Sequence, residues 1–92
     1  MKYKLVTTKT FDRSFEKLER NKIFNVKNFL KVIDTLLDKE VLERKYKNHK
    51  LKGGYEGCME CHLQNDILLI YYYIEKDLVL YAVNIGSHSE LF

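Results

Sequence analysis

The run ILLIYYYI, residues 67 to 74, is apolar or aromatic at every position. It is too short and too uniformly apolar for an amphipathic surface helix, and it reads as a central strand covered in part on both faces. Such a strand needs partners, and its flanks supply them. MECHL precedes it across a short turn, and LVLYAVNI follows after Glu75, Lys76 and Asp77. Connections this short make the later strands antiparallel, because a parallel return needs a crossover of roughly a dozen residues or more.

The first half supplies the cover. KYKLVTT, residues 2 to 8, is rich in β-branched residues and reads as a first strand. Thr10 is a cap for a helix with an apolar stripe of Phe11, Phe15 and Leu18. Asn25 caps a second helix, in which Val26, Phe29, Leu30, Ile33, Leu36 and Leu37 trace one face to near Glu40. A short connection predicts an antiparallel helical hairpin. LERKYKNHKL, residues 42 to 51, has neither period and reads as a charged loop.

The expected fold is therefore α+β: strand, helix, helix, then three or four strands, with the hairpin on one face of an antiparallel sheet. Ninety-two residues allow one domain, 1–92, with a thin core. The other sheet face, without helices, is a candidate binding floor. No stretch approaches the roughly 20 apolar residues that span a bilayer, and MKYKLVTTK has no apolar signal region. A cytoplasmic protein with no membrane association is expected.

Charge is unevenly distributed. Residues 1–52 hold 15 of the 16 basic and 7 of the 13 acidic side chains, a balance of +8, whereas residues 53–92 sum to −5. Lysines can simply solvate helices, or a basic flank can steer a polyanion or an acidic partner chain. Cys58 and Cys61 form C-x-x-C, but strand geometry sends them to opposite faces. That spacing opposes a local disulfide or a compact zinc knuckle.

His49, His62 and His88 are the chain's three histidines. His62 and Asp66 bracket the turn after the MECHL strand. The last strand runs antiparallel to its partner, so its end, and His88 after it, should return beside Asp66. His49, in the basic loop, could close the same end. Imidazoles exchange protons near neutrality. RNA provides its own nucleophile, the 2′-hydroxyl, and cleavage then needs a base, an acid and no metal. The sequence shows neither an H-E-x-x-H helix nor a compact ligand cluster, so no metal or other cofactor is expected.

NHKLKGGYEGCMECHLQNDILLIY followed by GSHSELF resembles the YafQ-type branch of the RelE/ParE toxin superfamily. That branch has (N/D)H-x-L-x-G, G-x-R-(D/E)-x-H, a P-D pair and a terminal R-x-G-(S/T)-H-x-x-L-F. The resemblance implies a toxin of a type II toxin–antitoxin pair. Such a toxin is an endoribonuclease (an mRNA interferase) that cuts mRNA in the ribosomal A site, is bound by an antitoxin, and reaches operator DNA only through that antitoxin. Carried across, the catalytic set is His49, His62, Asp66 and His88. Phe92, carried across as the terminal aromatic, is expected against a base, and Asn84 at an arginine's place with Lys50 and Lys52 of the loop complete the expected substrate-binding set. The chain departs from the pattern at Met59 and Asn84, which stand where the family has arginines, and at Asn65 and Ile67 around the turn. Losing an arginine that stabilises a phosphoryl oxygen commonly costs about 3 kcal/mol, on the order of a hundredfold in rate. Two alternatives follow: a weakly or non-catalytic module that binds antitoxin and acts in operon autoregulation, and inhibition of another target, such as gyrase, as in the ParE-like branch.

Overall fold

The computed structural model describes residues 2–92. Strand β1 (Lys4–Thr7) leads into helix α1 (Lys9–Glu19), followed by α2 (Val26–Leu37). Then come β2 (His49–Lys50), β3 (Met59–Gln64), β4 (Ile67–Ile74), β5 (Val79–Gly86) and a short terminal helix, α3 (His88–Leu91). Among the described residues the strands form one sheet in the order β1-β5-β4-β3-β2. Three of its pairings are antiparallel, and β1 lies parallel to β5. The sheet is therefore mixed rather than wholly antiparallel. The two-helix excursion between β1 and the later strands is long enough to return the chain in the same direction. The α+β class and the helices on one face are as expected.

Other boundaries moved for local reasons. Thr8, not Thr10, caps α1: its hydroxyl accepts the Phe11 amide at 2.9 Å as soon as β1 ends. Asn25 caps α2 through the Asn28 amide at 3.0 Å. Leu30 points outward and is 53% exposed, because the inward stripe runs through Phe29, Val32, Ile33, Leu36 and Leu37. The charged stretch 42–51 is partly structured. Leu42 and Tyr46 are buried, a 3-10 turn spans Arg44–Tyr46, and β2 pairs with β3. The tail after β5 is not frayed but closes as α3, with a capping box between Ser87 and Glu90.

The main core lies between the helices and the sheet, with Phe11, Phe29, Ile33 and Leu36 meeting Cys61, Leu69, Tyr71, Leu80 and Ala82. On the opposite face Leu68 and Ile70 pack with Leu91 of α3, joined by Leu51, Tyr55, Cys58 and Val83. Each cysteine thus sits on its own side, and both are free thiols. Burial pushes Cys61 up to about 12, which keeps it a packing residue.

Candidate active site

Strand alternation builds the site on the face away from α1 and α2. Met59 packs against the helix-side core, so Glu60 turns to the open face, and register pairs it with His49 of β2. Glu60 is 4% exposed, the one buried charged side chain among the described residues. Its Oε1 lies 3.4 Å from His49 Nε2 and 3.5 Å from His62 Nε2. The two imidazole centroids are 6.2 Å apart. His49 Nδ1 lies 2.7 Å from the Lys47 carbonyl oxygen. An Nδ1–H donated there leaves Nε2 of the neutral ring as a lone pair aimed at a carboxylate oxygen. Beside it, Tyr71 donates its hydroxyl to Asn48 Oδ1 at 2.6 Å and so anchors the residue before His49.

The tail docks at the β3–β4 turn. Asp66 takes a left-handed conformation, φ 56°, and its Oδ1 accepts the His88 amide at 3.3 Å. The tail therefore reaches the Asp66 turn through its backbone. The His88 ring instead packs against Phe92, with centroids 5.0 Å apart. Phe92 also meets Tyr55 edge-on at 5.6 Å. A Cβ at Gly86 would sit 3.1 Å from Glu90 Oε1, so the Glu90 carboxylate packs close against the glycine. The capping-box amide of Ser87, with help from Lys17, holds the Glu90 carboxyl down to about 2.

A cleft of about 340 Å³ lies beside the β3–β4 turn, lined by Asn28, Lys45, Lys47, His62, Gln64 and Asp66 among others. Lys50 and Lys52 line a different cleft of about 470 Å³ with Glu56, Cys58 and Met59. The reason is register: with His49 facing Glu60, the next residue of β2 faces the other way. Asn84 accepts the Ser14 hydroxyl of α1 at 2.9 Å and its neighbour's amide at 2.8 Å, so its carboxamide oxygen is engaged toward the helices. Four contributors were not anticipated from the sequence. Glu60 was legible as the E-x-H of a strand, two residues from His62 and on the same face. Lys45 and Lys47 carried no signal beyond charge, and Tyr55 none at all.

The bacterial toxin model of type II toxin–antitoxin systems, YafQ, matches residues 3–92. The Escherichia coli mRNA interferase toxin YafQ is 36% identical over 67 residues, 71% of each chain. A crystal structure of a metal-bound toxin from Helicobacter pylori is 41% identical, with a TM-score of 0.91, covering 98% of this chain and 99% of that one. The Escherichia coli DinJ–YafQ complex has 21% identity to this chain and a TM-score of 0.85 over 98% of both chains, a likeness of fold.

The expectation of a strictly metal-independent reaction is overturned here. The sequence hid a compact ligand cluster: one donor atom each from His49, Glu60 and His62 lie within 4.8 Å of one another. β2 and β3 bring them together across 13 residues of chain, a spacing that no short motif describes. The H. pylori relative was crystallised with metal bound. The donor set itself fits a cation. Glu60 Oε2 is buried without a hydrogen-bond partner, and Oε1 faces two imidazole nitrogens. Two imidazoles and a carboxylate suit the zinc, copper and nickel class of divalent ions.

Proposed function

Because this chain belongs to the YafQ family of type II toxin–antitoxin toxins, within the RelE/ParE superfamily, we propose that it cleaves RNA on the face formed by β2, β3 and the C-terminal tail. One observation carries this reading. Two imidazoles converge on a buried carboxylate beside the turn where His88 and Phe92 are docked.

In this reading the 2′-oxygen of one nucleotide forms a bond to the adjacent phosphorus, and the bond from phosphorus to the 5′-oxygen breaks. Asp66, exposed on its turn, accepts the 2′-hydroxyl proton, and His88 donates one to the departing 5′-oxygen. Lys45 and Lys47 bring positive charge to the cleft, and Phe92, 54% exposed, offers its ring to a base. His49, Glu60 and His62 form the cation-binding set. A divalent ion bound there supplies positive charge toward a phosphoryl oxygen, in a chain that carries Asn84 where the family carries arginine.

The substrate is mRNA in the ribosomal A site of the bacterial cytoplasm. The partner is a cognate antitoxin, as DinJ is for the E. coli relative. An acidic antitoxin suits a toxin half carrying +8, and operator DNA is reached through it. Purified protein added to translating ribosomes on a defined mRNA tests the reading by primer extension. The native chain should leave discrete 5′ ends, and His88→Ala should reduce them at least about a hundredfold. Equal cutting by both would remove His88 from the reaction. No cutting by the native chain would leave an antitoxin-binding module.

A further inference from the structure

The open sheet face continues past the histidine cluster as a strip with no place in the reaction above. Tyr72 of β4 and Tyr81 of β5 are register partners. Their ring centroids are 5.3 Å apart and their planes are inclined by 32°. Tyr71, Tyr73, Leu80 and Ala82 all join the helix-side core, so alternation turns Tyr72 and Tyr81 to the face opposite α1 and α2. Neither ring belongs to the small cluster that α3 covers, and both remain partly exposed. Val6, the register partner of Tyr81, extends the strip to the β1 edge and is 37% exposed.

The strip is continuous with the candidate active site. Tyr72 lies two residues along β4 from Ile70, the register partner of Glu60, or ~7 Å along the strand. Its β1 edge is basic. Lys4 shares the face of Val6 by alternation and is exposed. Paired aromatic rings on an exposed part of the sheet face, with a lysine at its β1 edge, match what an unpaired nucleic-acid strand needs. Bases stack on the rings, and cations follow the phosphates.

We propose that Tyr72 and Tyr81 form a base-stacking subsite for nucleotides of single-stranded RNA that flank the scissile phosphate. This rests on the RNA-cleaving reading of the same face. It adds a second aromatic contact beyond Phe92, on the sheet rather than the tail.

The test uses a short single-stranded RNA with one 2′-deoxy nucleotide at the cut position, which can bind but cannot be cleaved. On titration, the ring protons of Tyr72 and Tyr81 should move upfield in NMR spectra. Tyr72→Leu and Tyr81→Leu should each weaken binding by about 5- to 100-fold. Tyr72→Phe and Tyr81→Phe, which keep the stacking surface, should bind within about twofold of the native chain and show that a loss in the Leu variants is not misfolding. Leu variants that are folded by circular dichroism and bind like the native chain would overturn the subsite, as would unmoved tyrosine resonances. Leu variants that lose antitoxin affinity instead of RNA affinity would also overturn it and assign the strip to the protein partner. Primer extension with the native chain reads the nuclease reaction separately. Tyrosine-dependent RNA binding without cleavage would retain the subsite and remove the nuclease reading.

Discussion

Replacing Glu60 by glutamine should reverse the stability order of two proteins according to whether metal is present. Glu60 is 4% exposed and one of its carboxylate oxygens has no hydrogen-bond partner. A hydrogen bond made inside the protein contributes about 0.5–1.5 kcal/mol. Glutamine keeps the shape, removes the charge, and gains an N–H₂ group that can donate to the imidazole Nε2 atoms 3.4 and 3.5 Å from Oε1. In chelator at pH 8, Glu60→Gln should therefore be more stable than the native chain by about 0.5–1.5 kcal/mol. For a domain of this size each kcal/mol moves Tm by roughly 4–8 °C. With zinc or copper at a hundredfold excess over Kd, the native chain should gain about 2.7 kcal/mol, while the variant gains little. Thermal melts by circular dichroism, with chelator and with metal, read both orders. If the variant melts below the native chain in chelator, or metal stabilises both equally, Glu60 is not a strained, cation-binding carboxylate.

Glu90 gives a pH signature for the docked tail. Its carboxyl is held near 2, first by the Ser87 amide and then by Lys17, so its contribution is present above the ordinary glutamate range and is lost as pH falls from about 4.5 toward 2. The group is largely exposed, so Glu90→Gln should cost no more than about 1 kcal/mol at pH 7, and the difference should vanish in melts near pH 2. Leu80 is fully buried beneath the helices. Leu80→Ala should cost about 2–5 kcal/mol, visible as a lower urea midpoint, and a loss under 1 kcal/mol would contradict its place in the core.

The elements with strong periodicity were legible because burial dictates their pattern. The apolar run of β4 required neighbours on both edges, and the structure supplies β3 and β5. Asn25 marked the start of α2 through a capping bond that depends on its side chain alone. What escaped depends on pairing between distant segments. A two-residue strand such as His49–Lys50 has no period to read, yet its register with Glu60 and Met59 decides which of His49, Lys50 and Lys52 reaches the site. The parallel placement of β1 is likewise set by where the helical hairpin lets the chain return. The same register argument explains the missed metal ligands: Glu60 and His62 share a face by simple alternation, but the third donor arrives from another strand. The tail's closure packs Glu90 close against Gly86, a tertiary contact that no local pattern announces.

A crystal structure with the 2′-deoxy RNA bound tests the assignment of the active site most directly. The phosphate at the substituted position is expected in the cleft lined by His62 and Asp66, next to His88, with a base against Phe92. RNA bound instead across α1 and α2, with that cleft left to solvent, would contradict it.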